Sequence, residues 1–137
     1  MNKPFLYALC LCVLSACAGF RAQDLPELPP QQALWFQVDK LDTQGNTVQT
    51  SLLSVQGSED GSSRWVMTDA FGAPQARLSA NSRGWQADGF APPNRAAKKL
   101  FTAMFPLLKQ DFRRPQTIHS DPNHSWRITP IADPEGA

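Results

Sequence analysis

The sequence predicts an α+β fold: a single curved antiparallel sheet of about seven strands, an open half-barrel, with one main helix on its concave face. Two observations lead to this fold class. Short stretches of alternating apolar and polar residues, separated by turn sequences, run from residue 33 to residue 88, and apolar residues then recur every three or four positions up to residue 108. Because one helix and a few short strands cannot build two packed sheets, a single sheet covered by the helix is the economical arrangement.

Length and charge limit the function classes. The chain has 137 residues, with 13 Lys and Arg against 12 Asp and Glu, and this length suits one domain. Such a nearly neutral chain lacks the broad basic surface that nucleic-acid binding usually requires. Apolar residues make up 42% of the sequence, which is enough for a packed core and argues against wholesale disorder.

Alternation of apolar and polar residues predicts the strands that precede the helix. In Ala33–Leu41, Leu34 and Phe36 fall on one face and Asp39 falls on the other, as in a half-buried strand. In the second strand, the adjacent pair Leu52-Leu53 predicts either a bulge or burial on both faces. The strands after the first are predicted at Thr47–Gln56, Arg64–Thr68, Gln75–Ala80 and Trp85–Asp88.

The period then changes to that of a helix, predicted from Asn94 to Leu108. Pro106 lacks an amide hydrogen, so the last turn should be kinked or end there. Between residues 95 and 114 there are six basic residues and one acid, Asp111. These charges indicate either a solvated helix face or a surface attracted to anionic lipid headgroups. Two weaker strands, Gln116–His119 and Ser125–Ile131, close the fold.

The N-terminus predicts export. Residues 1–16 combine a charged start with a short apolar run that is shorter than the roughly 20 residues needed to span a bilayer, as in a secretory signal peptide. Leu14-Ser15-Ala16-Cys17 resembles the lipobox of bacterial lipoproteins, which implies cleavage before Cys17 and acylation of its thiol. An ordinary signal peptide with a chance cysteine is the alternative. Ala18 is not the aspartate that retains such lipoproteins in the inner membrane, so the resemblance implies the periplasmic leaflet of the outer membrane.

Removal of the signal peptide would take Cys10 and Cys12 with it, and acylation would block Cys17. The mature domain is therefore expected to have no disulfide. Residues 17–32 contain Pro26, Pro29 and Pro30 and are interpreted as a lipidated, extended tether that could hold the domain up to ~45 Å from the bilayer. The alternative is that part of this segment packs on the domain. Residues 132–137 are expected to form a flexible tail.

Two motifs resemble LolB, the outer-membrane receptor family that accepts lipoproteins from the carrier LolA. They are the run from Arg64 to Leu78, which contains Asp69-Ala70-Phe71-Gly72, and the helix end Met104-Phe105-Pro106-Leu107-Leu108. The arrangement is closer to the shorter, uncharacterised LolB-like lipoproteins, over residues 33–131. The resemblance implies a lipid-anchored module that accepts or shuttles acylated cargo, served by a LolA-like periplasmic carrier. The alternative is a structural lipoprotein subunit that docks to an envelope or lipid-biosynthesis assembly without binding lipid.

The same resemblance suggests site residues. Phe71 would protrude and insert into the membrane or into cargo, unless it folds back to cap the core. Trp65 and Trp85, together with the helix residues Phe101 and Met104, would line an acyl-binding cavity. The alternative is that these side chains are simply core.

Enzymatic activity is not expected, and neither is a cofactor. The chain has two histidines, His119 and His124, and no free cysteine in the mature form. A loop could bring both imidazoles to one metal ion. However, Asp121-Pro122-Asn123 between them is a plain turn sequence, so a hairpin explains the segment.

Overall fold

The order of the strands and the helix along the chain is the one that the sequence predicts. The computed structural model describes residue 20 and residues 22–134; the predicted signal peptide lies outside these residues. The predicted element bounds are confirmed to within two residues at each end. The elements are β1 Ala33–Leu41, β2 Thr47–Gly57, β3 Ser63–Thr68, β4 Pro74–Asn81, β5 Gly84–Ala87, α1 Arg95–Leu108, β6 Gln116–Asp121 and β7 His124–Ile131, preceded by a 3₁₀ turn at Ala22–Asp24.

The strands form one curved antiparallel sheet of seven strands in the order β5-β4-β3-β2-β1-β7-β6. Strands β1 to β5 are a simple meander, whereas β7 returns to pair with β1 and leaves β6 at the edge. The ladder of β2 runs without a shift across Leu52 and Leu53, and the register shift between β1 and β2 lies between Lys40 and Leu41. Leu53 is fully buried and Leu52 is half-buried, so partial burial on both faces, not a bulge, explains the leucine pair.

Helix α1 begins where Asn94 caps it. The Asn94 side chain accepts a hydrogen bond of 3.0 Å from the Ala97 amide, which satisfies one of the amides that a helix start leaves free. Pro106 lies inside the last turn, and the helix ends two residues later at Leu108. The Lys109 amide then closes the turn by donating to the Phe105 carbonyl at 3.3 Å.

The core lies between α1 and the sheet face it covers. Paired strands place Leu53 opposite both Phe36 and Met67, so that one row of apolar side chains crosses the sheet. Burial of each such side chain stabilises the fold by about 1.5–3 kcal/mol. The largest fully buried side chains are Trp65, Phe101, Leu53, Leu100, Met104, Ile128, Val38 and Val55.

The proline-rich segment before β1 packs on the domain. The Gln31 amide donates to the Gly57 carbonyl at 3.2 Å, and the Lys109 ammonium group donates to the Gln23 carbonyl at 3.0 Å. Leu28 covers Gly57 so closely that a Cβ at Gly57 would lie 2.8 Å from the Leu28 Cβ. For residues 22–32 the structure therefore shows the packed alternative and not an extended tether.

Candidate functional site

Phe71 stands at the tip of the turn between β3 and β4, and its side chain is 97% exposed. The Asp69 carboxylate accepts hydrogen bonds of 2.9 Å from the amides of Phe71 and Ala73. The Gly72 amide closes the turn on the Asp69 carbonyl at 3.0 Å, with Gly72 at a φ of +83° that favours glycine. The aromatic ring is thus held out by an ordered turn and does not fold back on the core.

The neighbouring turn between β1 and β2 has the same hydrogen bonds without an aromatic residue. There Asp42 accepts from the amides of Gln44 and Asn46 at 2.9 Å, and the Gly45 amide donates to the Asp42 carbonyl at 3.1 Å. Gln44 therefore occupies the position that Phe71 occupies in its own turn. Since a polar residue fulfils the needs of this turn, the turn itself does not require the phenylalanine.

The interior expected to be an acyl-binding cavity is filled. Trp65, Phe101 and Met104 are 0% exposed, and the rings of Trp65 and Phe101 lie 5.1 Å apart. This corrects the prediction that these three side chains line an open cavity, because α1 rests directly on the sheet and its apolar side chains occupy the space. An acyl chain can enter here only if α1 moves away.

Trp85 is the member of the predicted set that borders open grooves. Its indole Nε1 donates to the Thr102 hydroxyl at 2.9 Å, and its ring is half-buried. A groove of about 480 Å³ is lined by Trp85, Phe20 and Ala103, with Lys98 and Lys99 among its polar residues. Trp85 also lines a second groove, of about 280 Å³.

Sequence reasoning missed Phe90, which is also 97% exposed. Phe90 lies in the loop between β5 and α1. This loop runs back along β4, where the side-chain amide of Asn94 donates to the Gln75 carbonyl at 3.3 Å. Phe71 and Phe90 therefore lie at the same end of β4. The signal in the sequence was Gly89-Phe90-Ala91-Pro92, a loop sequence that offers no partner for an aromatic ring.

The two histidines have separate partners in the β6–β7 hairpin. Nδ1 of His124 lies 2.8 Å from the Asp121 carboxylate, and Nδ1 of His119 lies 2.8 Å from the Ser125 hydroxyl. The hydrogen bond from His124 is the main cause that holds the pKa of Asp121 below its usual value. Within residues 22–134, no group of three or more His, Cys, Asp or Glu side chains is placed to hold a metal ion.

Two further observations concern the membrane. Cys17, the predicted lipid attachment site, lies outside the residues that the structure describes. Among the helices of the described part of the chain, none is long and apolar enough to cross a bilayer.

Comparison with known protein families, with curated proteins and with solved structures finds no match to this chain.

Proposed function

We propose that this protein is a lipid-anchored module on the periplasmic leaflet of the outer membrane that accepts or shuttles acylated cargo, either lipoprotein or lipid. In this proposal Cys17 carries the anchor, Phe71 contacts acyl chains, and the sheet and helix are a LolA/LolB-like scaffold served by a LolA-like carrier. The proposal rests mainly on one observation: Phe71 is 97% exposed on a turn whose twin, at Gln44, is built without an aromatic residue.

The exposed ring of Phe71 adds no burial energy to the fold. A large apolar side chain in water gains nothing for the fold, and burying it elsewhere contributes about 1.5–3 kcal/mol. The acyl region of a bilayer, or the acyl chain of a cargo, is an apolar environment that an exposed ring on a protruding turn can reach. Phe90 at the same end of β4 adds a second exposed ring.

The filled interior sets a condition on this function. Because Trp65, Phe101 and Met104 are packed together, cargo must either lie in the outer grooves or displace α1. A displaced helix exposes its apolar face, so cargo binding of this kind should increase hydrogen exchange of the α1 amides.

The experiment uses the mature chain, a fluorescent acyl probe and liposomes. Capture of the probe and its release to liposomes are measured for the wild type and for Phe71→Gln, which installs the residue type found in the twin turn. We expect unchanged capture and at least tenfold slower release in the variant. The control is Gln44→Ser, which should leave both steps unchanged.

Two results would contradict the proposal. If the wild type captures no acyl probe and no lipopeptide, the cargo function is wrong. If Phe71→Gln releases probe at the wild-type rate, the role of Phe71 is wrong. A stoichiometric protein partner isolated without bound lipid would instead support the structural-subunit alternative.

A further inference from the structure

Phe20, the first residue that the structure describes, packs against the domain. Its ring packs edge-on against Phe105 at 4.9 Å and against Trp85 at 5.5 Å. Beyond it, the hydrogen bond between Lys109 and the Gln23 carbonyl holds the following segment to the end of α1. Phe20 and Gln23 are thus each held close to α1 or to the residue that follows it.

This attachment limits the distance between an acylated Cys17 and the domain. Cys17 precedes Phe20 by three positions, and three fully extended residues span at most about 11 Å. An acyl group on Cys17 would therefore begin within that distance of Phe20, instead of the ~45 Å that a free tether allows. A bilayer that holds the acyl chains must lie against the part of the surface near Phe20.

The surface near Phe20 suits anionic headgroups. The groove of about 480 Å³ there is lined by Phe20, Trp85, Lys98 and Lys99. Its acidic residue, Asp121, is already bound to His124 at 2.8 Å and lies 3.6 Å from Lys99. Lys98 also lines the adjoining groove of about 280 Å³, together with Arg77 and Arg95. Lys and Arg side chains near an anionic membrane surface are attracted to its headgroups.

We propose that the surface formed by Lys98 and Lys99 of α1 together with Phe20 and Trp85 lies flat on the anionic headgroups of the leaflet that holds Cys17. The indole and phenyl rings suit the interface, where amphipathic aromatic residues concentrate. The proposal rests on the acylation of Cys17, which belongs to the proposed function, but it does not require that the protein carries cargo.

The orientation is tested with the acylated chain in phosphatidylglycerol-containing vesicles. Because Cys17 is then blocked, a cysteine introduced at Ala103 or at Glu59 is the single site for an environment-sensitive dye. Ala103 lies in the groove beside Phe20, whereas Glu59 lies in the exposed loop between β2 and β3. We expect a headgroup quencher to act strongly at position 103 and weakly at position 59. The reverse order, or equal quenching, would overturn the proposal.

The charge contribution is tested separately with non-acylated Cys17→Ser protein. Lys98→Glu/Lys99→Glu should weaken binding to phosphatidylglycerol vesicles at least about tenfold, and added salt should remove the difference. The matched control is Arg113→Glu/Arg114→Glu, which makes the same charge change at exposed residues outside this surface. Equal weakening by both pairs would show that net charge, and not this surface, governs binding.

The outcomes separate this proposal from the proposed function. Absence of acyl chains on Cys17 by mass spectrometry would remove both. Normal capture and release of the acyl probe, together with a misplaced quenching pattern, would remove only the orientation.

Discussion

The indole Nε1 of Trp65 donates a hydrogen bond of 2.8 Å to the hydroxyl of Ser63, two residues earlier on the same face of β3. Both residues are buried, at 0% and 3% exposure. The buried indole N–H group therefore has its hydrogen-bond acceptor on the same strand, two residues away.

Removal of that acceptor should destabilise the fold. In Ser63→Ala the buried indole N–H loses its partner, and an unpaired buried donor costs about 1–3 kcal/mol. The free energy of unfolding in urea measures this loss. Ser82→Ala, in the exposed turn between β4 and β5, is the control and should change stability by less than about 0.5 kcal/mol. Equal effects of the two substitutions would contradict the importance of the hydrogen bond.

Two phenylalanines at opposite extremes of burial provide a second prediction. Phe101→Ala removes a ring that is 0% exposed and should cost about 3–5 kcal/mol. Phe71→Ala removes one that is 97% exposed and should change stability by less than about 0.5 kcal/mol. Thermal and urea unfolding of both variants measure the contrast. A large loss of stability in Phe71→Ala would mean that its ring is needed for the fold.

Gly57→Ala should release the segment before β1. A Cβ at Gly57 would lie 2.8 Å from both the Cβ and the carbonyl oxygen of Leu28, so the segment has to move. Cleavage after Glu27 by a glutamate-specific protease should become much faster, since the freed backbone fits a protease site.

Gly61→Ala is the control for this release. A Cβ there meets nothing within 4 Å, although its φ of +86° strains any other residue. It should lower stability without faster cleavage after Glu27. Similar cleavage rates in the two variants would show that general destabilisation, and not contact with Leu28, frees the segment.

The β6–β7 hairpin should respond to acid through Asp121. Its pKa in the folded protein is lowered from the ordinary value of 3.8, chiefly by the hydrogen bond with His124. A lowered folded-state pKa adds stability that is present above pH 3.8 and is lost as the pH falls through the lower value. Wild type should therefore exceed Asp121→Asn in free energy of unfolding near neutral pH, and the gap should close in strong acid. A gap that does not change with pH would contradict this linkage.

Local patterns predict the elements well but not what covers them. Alternation places Phe36 and Asp39 on opposite faces of β1, and Phe36 is buried as expected. Asp39 is nevertheless also buried, and its carboxylate accepts a hydrogen bond of 2.7 Å from Thr50 on the adjacent strand, which offsets the cost of its burial. A pairing between strands is not visible in the alternation of one strand.

The same limit explains why the sequence predicts an interior cavity and an extended segment before β1, neither of which the structure shows. Periodicity identifies Phe101 and Met104 as inward-facing, but it does not say how closely the helix approaches the sheet, and this distance decides between cavity and core. Prolines indicate an extended segment before β1, but docking depends on the missing side chain of Gly57, far away in the sequence. The turn sequence leaves open whether Phe71 protrudes or folds back on the core, and the structure shows a side chain that is 97% exposed.

The pairing of β1 with β7 has a consequence for the order of folding. Strands β1 to β5 join neighbours in the chain, whereas β1 meets its second neighbour only through residues 125–131. The sheet is therefore complete only when β1 has paired with a strand that lies far away in the sequence, and such non-local pairing is slow. Until it forms, the edge of β1 that faces β7 keeps its backbone N–H and C=O groups unpaired, so a folding chain exposes this edge for longer than a simple meander would.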